Sequence, residues 1–382
     1  MQRKVLFCAT VDYHFKAFHL PYFQWFKELG WEVHTASNGH LKLPYVDQSF
    51  RLPIQRSPFH LQNSKAYVQM KQLLRSHHYD LIHCHTPMGS VITRLAARKT
   101  RKKGTQVIYT AHGFHFCSGA PIKNWLLYYP VEKMLAASTD CLITINEEDY
   151  KRALKLSNGR ASVHHLHGVG VDTKRFAPVN GDQKQMLRLK HGFNEQEFIV
   201  LYTGELNQNK NQSMLIKACA FLKPHIPHLK VVFAGEGTSR TSYEQLVQTL
   251  GIEQNIQFAG FCKDIEEWVN LCDVCVSTSL REGLGMNLLE GMSAEKPVVA
   301  TNNRGHQELV KDGVNGFLVE PHDVDALAHY LHQLYLDRNC LGLMGKAGRS
   351  IALQFAKERT VEEMADIYTN HMKKTEKVIN HA

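Results

Sequence analysis

No stretch of this chain stays apolar for anything close to the about 20 residues that a membrane-crossing helix needs. Its nine cysteines are odd in number and scattered, without the repeated pairs of a zinc module or a disulfide framework. Reduced core thiols in a cytoplasmic protein are the expectation. The lone Cys-x-x-Cys, Cys272 to Cys275, reads as core packing. No Gly-x-Gly-x-x-Gly follows the first apolar run, which disfavours a dinucleotide-dependent oxidoreductase. Tandem repeats of solenoid period and low-complexity segments are missing. The net charge is +9, yet zinc-finger spacing and RNA-binding signatures are absent, so nucleic acid is not an expected partner. The start, Met1-Gln2-Arg3-Lys4 followed by Val5–Ala9, is broken at Asp12 and His14. It reads as a buried first strand rather than a signal peptide.

What is present suits a globular protein of two domains: 382 residues, 43% hydrophobic and 21% charged. Short apolar runs alternate with amphipathic segments. Strands are predicted at Val5–Thr10, Glu32–Ala36, Leu81–His85, Val107–Thr110 and Cys141–Ile145. A second series lies at Phe198–Thr203, Lys230–Ala234, Ile256–Phe258, Val274–Thr278 and Pro297–Ala300. Helices are predicted at Phe15–Leu29, Ser64–Ser76, Lys210–Leu222, Ser242–Leu250 and Lys357–Lys373. Strand then helix, repeated twice over, argues two α/β domains with parallel sheets. The glycines and proline from Gly168 to Pro178 mark the boundary. The division expected is residues 1–172, residues 173–355, and a terminal helix within residues 356–382. Ligands of such sheets bind beyond the carboxyl ends of the strands, so two domains facing each other would form a cleft.

Each distinctive motif follows a predicted strand. In Leu280-Arg281-Glu282-Gly283-Leu284-Gly285-Met286-Asn287-Leu288-Leu289-Glu290, a glycine loop opens a helix. Bare amides at Gly283, Leu284, Gly285, Met286 and Asn287 suit a phosphate. Glu282 and Glu290 do not, but carboxylates accept sugar hydroxyls strongly. The segment therefore suggests a nucleotide-sugar site. Gly204-Glu205-Leu206-Asn207-Gln208-Asn209-Lys210 adds a tight turn at Gly204 and a point charge, Lys210, for a diphosphate. Ala234-Gly235-Glu236-Gly237 lets the chain pass close to a ligand at Gly235. In Tyr109-Thr110-Ala111-His112-Gly113-Phe114-His115-Phe116, His112 stands at a strand end, where an imidazole can hydrogen-bond a sugar. His115, His83 and His85 read as structural. No histidine pair has zincin spacing, so no metal cluster is expected. Asp323-Val324-Asp325 reads as a helix cap rather than a metal-holding triplet.

Together these residues resemble the retaining glycosyltransferases of family 4, which have the GT-B fold. The likeness rests on Glu282 to Glu290, on Gly204 to Lys210, on Gly170-Val171-Asp172 with Phe176, and on the segment Asn302 to Val319. It implies two Rossmann-like domains facing a cleft and a terminal helix crossing back onto the first domain. By resemblance, Glu282 and His112 contact the donor sugar and Glu290 holds the ribose. Gly285 to Asn287 and Lys210 bind the diphosphate, and neither metal nor other cofactor is needed. A narrower likeness is to bacterial capsule and exopolysaccharide transferases. It implies a polyprenyl-diphosphate-linked glycan as acceptor, and a protein peripheral to the inner face of the cell membrane. A basic run, Arg94, Arg98, Lys99, Arg101, Lys102 and Lys103, and the segment Trp125-Leu126-Leu127-Tyr128-Tyr129 suit an anionic membrane surface. Glu205 departs from the family pattern, which usually has Arg there. Asp12-Tyr13-His14-Phe15 replaces a frequent Gly-Gly loop. A sugar-nucleotide 2-epimerase of the same fold, and a non-catalytic partner in a synthesis complex, are the alternatives.

Overall fold

The computed structural model describes residues 2–379. The chain divides into two compact units. One comprises the chain up to Val169 together with the segment from Glu358 onward, and the other is Gly170–Lys357.

The first unit is built on seven strands: β1 (Lys4–Val11), β2 (Glu32–Asn38), β3 (Gln48–Arg51), β4 (Leu81–His85), β5 (Gln106–Ala111), β6 (Cys141–Thr144) and β7 (Ser162–His165). They pair in the order β3-β2-β1-β4-β5-β6-β7. All these pairings are parallel. Successive side chains of a strand point to opposite faces. Accordingly Val5, Phe7 and Ala9 enter one core with Phe23, Phe26 and Trp31. Leu6 and Cys8 enter the other core with Met70, Ile82 and Tyr109. A sheet buried on both faces explains why its central strands read as unbroken apolar runs.

The helix Lys357–Ile379 belongs to this unit, although it ends the described chain. Its Met364, Ile367 and Tyr368 complete the core around Phe7 and Phe26. The Tyr368 hydroxyl lies 2.7 Å from His83 Nδ1. His83 Nε2 lies 2.8 Å from Thr110 Oγ1, so that imidazole is held on both sides as a structural group. The expected helix Phe15–Leu29 is two helices, Tyr13–Phe18 and Leu20–Glu28. Pro21 explains the break, because it lacks an N–H to continue the ladder and suits a helix's first turn.

The second unit has six strands: β8 (Phe198–Thr203), β9 (Leu229–Ala234), β10 (Ile256–Gly260), β11 (Val274–Ser277), β12 (Val298–Thr301) and β13 (Gly316–Val319). Their order is β10-β9-β8-β11-β12-β13, again all parallel. Each sheet reverses its strand order at one place, between β1 and β4 and between β8 and β11. The crevice outside such a switch point is where α/β sheets hold ligands. At the unit boundary the chain's two crossings lie side by side. Val171 N donates to Phe355 O at 2.8 Å and Lys357 N to Val171 O at 2.9 Å. A Cβ on Gly170 would stand 2.5 Å from Lys357 Cα, so only glycine fits there. This pairing puts the division at Val169/Gly170 and Lys357/Glu358, a few residues from the expected positions.

Candidate functional site

The switch point of the second unit gathers the loops after β8 and β11, and hydrogen bonds stitch them together. Thr278 Oγ1 donates to Asn211 O at 2.8 Å, and Leu280 N to Asn209 O at 2.8 Å. Asn209 Nδ2 donates to Arg281 O at 3.0 Å, and the buried Tyr202 hydroxyl to Lys210 O at 2.8 Å. This scaffold brings Lys210 Nζ to 2.5 Å from Glu282 Oε1. Burial disfavours both charges, but each offsets the other's cost. The pair wins over desolvation: the Lys210 ammonium is held above its ordinary range, and the Glu282 carboxyl is held below its own.

Gly283, Leu284 and Gly285 follow, and Gly285 precedes the helix Met286–Ser293, in which Asn287 lies in the first turn. Beneath this loop sits the short helix Arg304–Gln307, capped by Asn303. A Cβ on Gly305 would meet the backbone of Glu282, Gly283 and Leu284 at 2.9 Å. A Cβ on Gly285 would meet the ring of His306 at 3.0 Å. His306 is fully buried, donates from Nδ1 to Thr301 O at 2.7 Å, and has its titration lowered to about 4 by burial. It is therefore a neutral support under the loop. Sequence reasoning missed this role, although His306 lies inside the segment that carried the family likeness.

Glu290 is one turn further along the helix. Burial, only partly offset by Arg175, pushes its carboxyl up to about 7. The glycines after β8 and β9 serve packing between loops. Gly235 has φ of +153°, and a Cβ there would stand 2.0 Å from Gly204 O. Gly235 thus lets the two loops touch, a nearer cause than the passage of a ligand. Gly204, with φ of +147°, also occupies a region that side chains disfavour. Glu205 is exposed and close enough to Lys210 for its charge to help keep that ammonium protonated. Asp323 caps the helix Val324–Leu336 through Ala326 N at 2.9 Å.

In the first unit, His112 follows β5 and is half-buried. Desolvation lowers its titration to about 4, so it is neutral near pH 7. His115 is exposed, with its ring edge-on to Tyr128. Around His112 the structure gathers His14, His19 and His85, whose ligand atoms all lie within 4.8 Å of one another. Spacing along the chain does not report on such a gathering, because the members come from three separate segments, those after β1, at the end of β4 and after β5.

The basic run needs correction. Arg94 is 1% exposed; it pairs with Glu132 at 2.9 Å and stacks over Tyr109. Arg101 pairs with Asp140 at 2.8 Å. Arg98, Lys99, Lys102 and Lys103 are exposed. The aromatic segment is similarly divided. Trp125, Tyr128 and Tyr129 pack on the core, while Leu126 and Ile122, one turn apart, are exposed. No described helix is long and apolar enough to cross a membrane.

A pair of doubly wound parallel sheets, the second with a phosphate-type loop flanked by carboxylates at its switch point, defines a glycosyltransferase of GT-B type. The comparisons agree. The model of glycosyl transferases group 1 matches residues 183–351, and that of glycosyl transferase 4-like proteins matches residues 4–146. EpsD of Bacillus subtilis (strain 168), assigned as a glycosyltransferase, is 58% identical over 372 residues, covering 97% of this chain and 98% of EpsD. The chain belongs to the group 1, family 4-like glycosyltransferases. The UDP-Gal:alpha-D-GlcNAc-diphosphoundecaprenol alpha-1,3-galactosyltransferase of Escherichia coli is 28% identical over 334 residues, 85% of each chain. Among solved structures, Anabaena HepE in complex with UDP-glucose superposes with a TM-score of 0.79 at 20% identity, over 96% of this chain and 99% of HepE. That likeness speaks to the fold.

Proposed function

We propose that this glycosyltransferase moves a sugar, with retained anomeric configuration, from a UDP-sugar to a lipid-linked glycan in exopolysaccharide or capsule synthesis. The observation that carries the donor reading is the Lys210–Glu282 pair beside the amides of Gly283 to Asn287. A diphosphate carries more negative charge than one carboxylate and competes for Lys210. Its arrival frees Glu282 to accept hydroxyl protons from the sugar. Glu290 takes the ribose hydroxyls, and His112, neutral and half-buried, hydrogen-bonds the sugar. Lys210 and the helix amides stabilise the leaving diphosphate, which is most of the chemical task, so the donor needs no metal.

The acceptor class draws support from the Escherichia coli relative, whose name specifies a diphosphoundecaprenol-linked acceptor. Location at the inner face of the membrane draws support from Arg98, Lys99, Lys102 and Lys103 and from exposed Ile122 and Leu126. A thermal-shift panel of UDP- and GDP-sugars, followed by product analysis with and without a lipid-linked acceptor, tests the reading. Stabilisation by a UDP-sugar and acceptor-dependent transfer are expected. A folded sample that ignores every nucleotide would refute it, and an isomerised donor without acceptor would indicate an epimerase.

A further inference from the structure

We infer that the first unit contains a binding site for one divalent first-row metal ion of zinc type, formed by His19, His85 and His112 with His14 beside them. His19 follows the helix Tyr13–Phe18, His85 ends β4 and His112 follows β5. β4 borders the switch point of the first sheet, and β5 pairs with β4 on its other side.

Three ring nitrogens face one another. His19 Nε2 lies 3.2 Å from His85 Nδ1, and His112 Nε2 lies 3.3 Å from the same atom. Ligands about 2.0–2.1 Å from a tetrahedral zinc stand about 3.3–3.4 Å apart. Those two spacings match neighbouring ligands of such an ion, and the remaining ligand atoms of the group lie within 4.8 Å of one another. Protonation makes the same point. His19 Nδ1 lies 3.3 Å from the carbonyl oxygen of His14, so the proton of a neutral His19 belongs there, as a donor. That leaves a lone pair on Nε2, aimed at His85. A proton on His85 Nδ1 is the only neutral way to join the three nitrogens without an ion, and it must then be shared between two acceptors. An imidazolium in the cluster is opposed by burial, since His19 and His85 are both shut off from solvent. A cation resolves the conflict, because it accepts all three lone pairs at once.

His19 also shows the usual support of a metal-binding histidine, its second nitrogen directed at a backbone carbonyl. His14 offers one ring nitrogen within the same 4.8 Å group, which can supply a fourth ligand. Imidazole sets of this kind suit zinc, cobalt, nickel or copper rather than magnesium or calcium. His14 also borders a cavity of about 360 Å³ that Arg56 and Thr86 help to line. The cavity gives an ion a route in and room for a charge-balancing anion. Coordination through His112 Nε2 would fix its remaining proton on Nδ1, leaving that group free to donate.

The test uses the full chain and the metal alone, without donor, so its outcome is independent of the donor reading. Chelator-stripped protein is titrated with Co2+, and Zn2+ is then added to displace it. One equivalent with the intense visible absorption of four-coordinate cobalt is expected, lost in both His85→Ala and His19→Gln and kept in His115→Ala. No stoichiometric uptake, or uptake unchanged in the His85 and His19 variants, overturns the site. Should those variants fail to fold, X-ray absorption on the zinc-loaded wild type decides. Nitrogen-only neighbours at about 2.0 Å support the site, and sulfur neighbours overturn it.

Discussion

Lys210 and Glu282 cannot be separated cheaply, since removing one leaves the other's charge buried and alone. Lys210→Ala is expected to lower kcat/KM about a hundredfold or more, the usual cost of one lost electrostatic contact to a leaving group. A transfer assay on protein shown by circular dichroism to be folded measures it, and near wild-type turnover would remove Lys210 from the site. Glu290 makes a pH statement. Burial raises its folded pKa from the ordinary 4.5 to about 7, so the native state binds that proton more tightly than the unfolded chain. The stability it contributes is complete below the ordinary value and is lost as pH climbs through about 7. Ribose hydroxyls prefer the ionised carboxylate, so donor affinity should rise over the same window. Glu290→Gln should flatten both trends, which denaturant melts and calorimetry across pH can follow.

Among the elements, legibility followed burial. Central strands such as β1, β4 and β8 are buried along their length and were plain in the sequence. The edge strands β3, Gln-Ser-Phe-Arg, which is mostly exposed, and β7, Ser-Val-His-His, which is only partly buried, carry no apolar run, so they were missed. β13 was missed because a glycine and three apolar residues after a turn carry too little periodicity. The glycine loop after β11 and the helix it opens were legible since they lie in one short stretch of chain. The histidine cluster was not, since its members meet only when three strand-end segments converge. Packing between the loops after β8 and β9 gives a sharper prediction. Gly235→Ala puts a Cβ where Gly204 O stands, at a backbone angle alanine resists. UDP binding should weaken at least about tenfold as the two loops part, with the fold retained, because local strain of about 1–3 kcal/mol is within a domain's reserve. Calorimetry beside a thermal melt separates the two effects.

On the scale of the whole molecule, the surviving basic patch is smaller than its sequence run, so attraction to a membrane rests on four side chains and should be weak. Sedimentation with anionic vesicles should fall steeply as salt is raised. The triple change Lys99→Glu, Lys102→Glu and Lys103→Glu should abolish it, whereas equal binding to neutral vesicles would point to Ile122 and Leu126 instead. Tyr368 ties distant parts of the chain together. Tyr368→Ala is expected to cost about 3–5 kcal/mol through the cavity left among Phe26, Trp25 and His83. Tyr368→Phe should cost only about 1 kcal/mol, for the lost hydroxyl bond.

That same tyrosine sets an order on biosynthesis. Polypeptide emerges from the ribosome at about 5–20 residues per second and normally folds from its amino end. Here the first unit lacks Met364, Ile367 and Tyr368 until the whole of the second unit has been translated. The nascent amino-terminal sheet must wait, partly bare, while the later half is threaded out and becomes the first to finish.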